Sequence, residues 1–150
     1  MKTKMKTNTL FILIVSLMCT ISCKAQVTLT ELNGTSWEIV SPVNEYARRV
    51  WTFSKTQVTQ TSTYFDDNEV IRNYSQYYLS KTKPASFNNA LVGKSVKGDY
   101  LVTYSTKRKR MDWYTIMSLD LRKGDMYLFR EARPDEVGGA NVTIHLKLIK

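Results

Sequence analysis

The stretch NVTIHLKLIK, residues 141–150, alternates apolar and polar side chains, and this alternation decides the fold class. In an extended chain one face carries the apolar members of the stretch, which are Val142, Ile144, Leu146 and Leu148. The opposite face carries polar residues such as His145 and Lys147. One buried face and one solvated face are typical of a strand in an antiparallel sheet. The stretch therefore predicts such a strand.

Seven further stretches are predicted to be strands because β-favouring residues recur between turn sequences. These stretches are residues 35–41, 49–54, 57–65, 70–80, 100–106, 111–121 and 126–131. Helix signals are nearly absent. Eight strands in hairpin order close most simply into an antiparallel up-and-down barrel, because closure removes exposed sheet edges. The sequence therefore predicts an all-β barrel, with a β-sandwich as the alternative, and such a barrel is either filled by side chains or holds one small ligand.

The N-terminal residues 1–25 are predicted to be an export signal. Three lysines precede an apolar run over residues 10–21, which is shorter than the ~20 residues that span a bilayer. Signal peptidase would cut after Ala25, or a lipoprotein-type cut would precede Cys23, because residues 20–23 resemble a bacterial lipobox with Thr20 in place of the usual Leu. Either cut removes Cys19, so residues 26–150 form one domain without a disulfide.

Export sets the expected location and the expected partners. We expect the protein in the periplasm or on the outer membrane of a Gram-negative bacterium, with membrane attachment only through a lipid on Cys23. The chain has 22 Lys and Arg and 13 Asp and Glu, and four of the lysines precede Gln26. Eighteen cationic residues against thirteen acidic ones leave a net charge of +5 from Gln26 onward, which is mildly basic. For an exported protein this charge favours anionic lipid or glycan over nucleic acid.

A basic run is the candidate for contact with an anionic surface, and it consists of Lys107, Arg108, Lys109 and Arg110. Tyr104 and Trp113 flank the run, as a stacking platform would require. The alternative is a solvated hairpin turn, because the run lies between two predicted strands.

The sequence offers little support for an enzyme. The sequence has a single histidine, His145, and export would remove its thiol pair, so no cluster of metal ligands is expected. Neither a nucleophile elbow nor a glycine-rich phosphate loop is present. A paired-carboxylate site would have to be drawn from Glu38, Asp112, Asp120 and Glu131, and nothing in the sequence selects a pair. We therefore predict a protein that is not an enzyme and has no cofactor or metal.

Three stretches resemble the lipocalins and related calycin-type barrels. Residues 33–37, Asn-Gly-Thr-Ser-Trp, are similar to the Gly-x-Trp motif of the first strand, with one extra residue. Residues 98–104 resemble the Thr-Asp-Tyr block, with Gly in place of Thr, and residues 128–130 resemble the end of a late strand that carries an arginine. The resemblance implies a compact bacterial lipocalin-like domain, in which Trp37 plugs one end of the barrel and Arg130 covers Trp37. The connection over residues 134–140 is too short for the helix that lipocalins carry before their last strand.

The aromatic residues on alternating strand positions are the candidates for a ligand pocket. They are Trp51, Phe53, Tyr74, Tyr78, Tyr100, Tyr104 and Trp113. Tyrosine combines an apolar ring with a polar tip, which suits the wall of a pocket for a partly polar ligand. We therefore expect an envelope protein that binds a small apolar or amphipathic molecule. The alternative is an envelope interaction module with a filled barrel, which contacts a protein, anionic lipid or glycan through its rim and basic run.

Overall fold

The computed structural model describes residues 26–94, 96–105, 114–132 and 139–149, and their strands form one closed antiparallel barrel. The strands are β1 (Ser36–Ser41), β2 (Ala47–Phe53), β3 (Gln57–Tyr64), β4 (Val70–Ser80), β5 (Tyr100–Ser105), β6 (Tyr114–Arg122), β7 (Asp125–Arg130) and β8 (Val142–Leu148). Each strand pairs with the next, and β8 pairs with β1 to close the barrel. The predicted all-β up-and-down barrel is confirmed, and the sandwich alternative is wrong because the two terminal strands pair with each other.

A short helix that the sequence analysis missed, α1 (Leu29–Leu32), packs against one end of the barrel. Its first turn is a capping box, in which the Glu31 amide donates to Thr28 Oγ1 and the Thr28 amide donates to Glu31 Oε2. Leu29 and Leu32 are both buried in the hydrophobic core. The capping side chains of α1 lie outside and its two leucines lie in the core, so α1 covers this end of the barrel. We call it the closed end.

The chain around α1 is tied to strands on both sides of the closed end. Val27 and Gly98 exchange backbone hydrogen bonds just before β5 begins. After α1, the Gly34 amide donates to the Phe53 carbonyl at 2.8 Å, and the Phe53 amide donates to the Thr35 carbonyl at 2.9 Å. These bonds hold the plug between the start of β5 and the end of β2.

The interior next to α1 is a continuous apolar core. Its strand residues include Trp37, Phe53, Val58, Tyr77, Leu79, Leu101, Leu119, Met126, Leu128 and Leu146. Full burial of one such side chain stabilises a fold by about 1.5–3 kcal/mol. The indole N–H of Trp37 donates to Thr35 Oγ1 at 2.7 Å, so its polar atom is satisfied inside this core. Side chains thus fill the closed half of the barrel.

The segment that joins β4 to β5 covers part of the outer wall. It contains a short 3-10 turn, Asn89–Leu91, and its Phe87 ring contacts the rings of Tyr78 and Tyr104. Tyr78 is consequently 2% exposed although it points away from the core, and Val102 beside it is fully buried. The sheet therefore has two buried faces over β4 and β5.

Three of the sequence predictions lie outside the described residues. They concern the export signal with Cys23, the basic run over 107–110, and Trp113. Within the part of the chain that is described, no helix is long and apolar enough to cross a membrane.

Replacing Gly98 with Ala is expected to destabilise the barrel, because a Cβ at this position would lie 2.4 Å from the Ser80 carbonyl oxygen and 2.6 Å from the Ser80 amide nitrogen. Both atoms are backbone, so the strands must shift, and overpacking of this kind costs about 1–3 kcal/mol. Urea unfolding of Gly98→Ala measures the loss. Gly124→Asn is the control, because Gly124 has φ +81° with open space around it and Asn tolerates that conformation. A Gly98→Ala variant as stable as the wild type would contradict the prediction.

The buried phenol of Tyr77 is expected to make stability fall at high pH. Burial raises the pKa of Tyr77, and its hydroxyl donates to the Ser54 carbonyl at 2.7 Å. Above pH ~10 the unfolded chain releases this proton while the folded chain keeps it, so stability present below pH ~10 is lost as pH rises. Tyr77→Phe should therefore be less stable than the wild type by about 1 kcal/mol at pH 8. That deficit should shrink by pH 11 in urea unfolding, and an equal deficit at both pH values would refute the prediction.

Candidate functional site

The half of the barrel opposite α1 contains a cavity of about 240 Å³ that is open to solvent, and we call this half the cavity end. Six of the eight strands contribute to its wall. The lining residues are Trp51, Gln60, Thr103, Thr115, Met117, Arg130, Val142 and Ile144. All of them point inward. Side chains alternate between the two faces of a strand, and these residues share the face that carries the core residues of the same strand or of the strands paired with it.

The cavity wall is amphipathic. Trp51, Met117 and Ile144 supply apolar surface, while Gln60 and Thr103 supply an amide and a hydroxyl. Further polar side chains continue along the same inner face toward the cavity end, and they are Ser62, Asn73, Ser75 and Ser105. The interior thus changes from apolar beside α1 to polar at the cavity end. Such a wall is suited to a ligand with one apolar part and one hydrogen-bonding part.

The volume of the cavity limits the size of a ligand. An apolar cavity of about 150 Å³ accepts benzene. A cavity of about 240 Å³ therefore accepts one ring with a short substituent, or a chain of a few carbons. A long lipid acyl chain does not fit in this volume, because the core next to α1 occupies the remainder of the barrel.

Two arginines are the charged residues that face inward among the described strand residues. Arg130 lines the cavity, and Arg49 lies two residues before Trp51 on the inner face of β2. Nη2 of Arg49 donates to the Pro42 carbonyl at 3.3 Å. Its Nε is shielded from solvent and has no hydrogen-bond partner. An unpaired buried donor costs about 1–3 kcal/mol, so this nitrogen is the least satisfied polar atom of the inner wall.

The structure separates the predicted pocket residues into two groups. Trp51 lines the cavity, whereas Phe53 lies deeper in the filled core, edge-on to Tyr77 at 5.3 Å. The four predicted tyrosines lie on the outer face of β4 and β5, and they are Tyr74, Tyr78, Tyr100 and Tyr104. Tyr74 is 41% exposed there. The structure thus does not bring together the six candidates that it describes, and ligand binding by either group stays a prediction.

The outer tyrosines have a different environment from the one we expected. Tyr104 stacks on Phe87 with ring centroids 5.1 Å apart, beside a groove of about 470 Å³ on the outside of the barrel. The groove is lined by Gln76, Ser86, Phe87, Asn89, Tyr104 and Tyr114. The alternation of tyrosines identified a single face of β4 and β5, on which Tyr78 is buried and Tyr74 is exposed. It could not reveal that the covering segment over residues 81–94, rather than the barrel interior, buries Tyr78.

Several cavity residues were missed because they are not aromatic. Gln60, Thr103 and Thr115 read as ordinary strand residues, and Met117 reads as core. A signal was nevertheless present: once Trp51 is placed inside, strand pairing puts Gln60 directly opposite it on the same face. The residues of the inner wall can be assigned once one residue is known to point inward and the strand register is known. The sequence does not provide that register.

The three candidate carboxylates that the structure describes each pair with a basic side chain. Glu38 accepts two hydrogen bonds from Arg48 at 2.8 and 2.9 Å, and this bond lowers the pKa of Glu38. Asp120 pairs with Arg122 at 2.9 Å, and Glu131 pairs with Lys83. Asp112 lies outside the described residues.

His145 lies on the outer face of β8, as its alternation predicts. Its Nε2 is 2.6 Å from Asp125 Oδ1, and its ring stacks on Tyr127 with centroids 4.4 Å apart. In the described ranges no group of three or more His, Cys, Asp or Glu residues is arranged to hold a metal ion.

Comparisons with protein-family models, curated proteins and solved structures found no match for this chain. The closed barrel of eight antiparallel strands is compatible with the lipocalin-like fold that the three sequence stretches resemble. The site must therefore be interpreted from its own geometry.

Proposed function

We propose that this protein binds a small amphipathic molecule in the cavity end of a lipocalin-like barrel. The observation that carries the proposal is the inner cavity of about 240 Å³ with a mixed apolar and polar wall. Small-molecule sites are typically concave, with a mostly apolar wall and a few placed polar groups, and this cavity has that composition.

The division of the interior supports binding of a compact ligand. Fully buried Leu79, Leu101 and Leu128 stabilise the closed half, so the cavity end can carry polar residues without being needed for the main core. Trp51 offers a broad apolar face to the ligand, and Thr103 and Gln60 offer hydrogen-bonding groups. We place this binding in the bacterial envelope, on the basis of the export-type sequence over residues 1–25.

Filling the cavity is expected to abolish binding. Thr115→Phe adds an aromatic ring to the cavity wall, whereas Thr59→Phe adds the same ring to the outer face of β3. Native mass spectrometry of each protein, purified from its own cell envelope, measures the fraction that retains a bound small molecule. We expect retention in the wild type and in Thr59→Phe, and loss in Thr115→Phe.

Urea unfolding of both variants checks that each one is folded before the spectra are compared. A wild-type protein that carries no bound molecule would count against the proposal. So would a molecule retained equally by Thr115→Phe and Thr59→Phe, because the molecule would then occupy another part of the protein.

A further inference from the structure

We infer that the ligand of the cavity is an anion, a small carboxylate whose head group is bound by the guanidinium of Arg49. This inference rests on the proposed function and names the chemical class of its ligand. It starts from the charge of the inner wall. Among the described residues that face the interior, the charged ones are Arg49 and Arg130, and both are cationic.

The placement of Arg49 brings its charge close to the cavity. Arg49 lies two residues before Trp51 on β2, so both side chains are on the inner face. Arg49 pairs with Ser62 of β3, and Ser62 lies two residues from Gln60 on that same face. Trp51 and Gln60 both line the cavity. Arg49 therefore stands next to two cavity residues, on the side toward the connection between β1 and β2, where it donates to Pro42.

The hydrogen bonds of Arg49 are incomplete. Arginine carries five N–H donors in a planar fork, and the fork matches the two oxygens of a carboxylate. One terminal nitrogen of Arg49 is held by the Pro42 carbonyl, while Nε lacks a partner and is shielded from solvent. A buried donor of this kind calls for an acceptor, and the inner wall described here offers it no carboxylate.

A ligand carboxylate can supply that acceptor after a small local change. Nε is covered in the structure, so a rotation of the Arg49 side chain has to turn the fork toward the cavity, and such side-chain changes are common on binding. The apolar part of the ligand would then lie against Trp51 and Ile144. The cavity volume favours a short chain or a single ring over a long fatty acid.

Three probes of equal chain length test the inference: hexanoate, 1-hexanol and hexylammonium. Titration of the full mature chain is followed by tryptophan fluorescence, because Trp51 lies in the cavity wall, and by calorimetry. Hexanoate should bind at least about tenfold more tightly than 1-hexanol, since its carboxylate offers the guanidinium a negative charge and two acceptor oxygens, whereas the hydroxyl offers one neutral oxygen. Hexylammonium should bind most weakly, because its charge repels the two guanidinium groups.

Two neighbouring arginines provide a matched pair of variants. Arg49→Met removes the inward guanidinium, and Arg48→Met removes an outward one that pairs with Glu38 on the surface. Arg49→Met should reduce hexanoate affinity to the level of 1-hexanol, and Arg48→Met should leave the preference for hexanoate intact. If Arg49→Met does not fold, Arg49→Lys replaces it and should reduce the preference for hexanoate without reversing it.

The outcomes separate the two proposals. Equal affinity for hexanoate and 1-hexanol overturns the anion inference and leaves cavity binding in place. A preference for hexanoate that survives in Arg49→Met overturns the assignment of the head group to Arg49. Failure of all three probes to bind overturns the proposed function, and the anion inference falls with it.

Discussion

The pairing of the first strand with the last is the constraint on which the rest of the structure depends. Trp37 of β1 lies opposite Leu148 of β8, and Ile39 lies opposite Leu146. This ladder gives every strand a neighbour on both sides, so the sheet closes without a terminal edge strand. Closure also gives each strand an inside and an outside. Every assignment of a side chain to the core, the cavity or the outer groove follows from that division.

The plug at one end determines where a ligand can be held. α1 and its leucines pack against the buried apolar core of the closed half. The remaining space lies at the other end, where the inner residues become smaller and more polar, as in the series Thr103, Ser105 and Ser75. The helix and the apolar strand residues of the core together place the described cavity at the opposite end of the barrel.

The strands could be predicted from the sequence within a few residues, because alternation and turn residues are local signals. Predicted strand 70–80 matches β4, and predicted strand 57–65 exceeds β3 by one residue. The faces were harder to predict. Tyr78 and Tyr77 are both buried, one under Phe87 and one in the core, so local hydrophobicity does not tell the inner face from a covered outer face. The helix α1 was missed although its Thr28-x-x-Glu31 capping box is visible in the sequence.

The site depended on information that no single strand contains. Trp51 was selected because it is aromatic, whereas Arg49, two residues earlier on the same face, was not selected as a site residue at all. Its importance follows from one atom, because the Nε of this half-buried side chain is shielded from solvent without a hydrogen-bond partner once the barrel closes.

The same property gives a physical account of selectivity. A ligand without a hydrogen-bond acceptor would leave the Arg49 Nε unpaired and would shield it further from water, so the penalty of about 1–3 kcal/mol would remain in the complex. An anion that accepts this hydrogen bond removes the penalty. A site with a buried donor rejects ligands that lack the acceptor more strongly than an apolar wall rejects a change of one methylene. The apolar residues Trp51 and Ile144 would thus set the size of the ligand, and the guanidinium would set its charge.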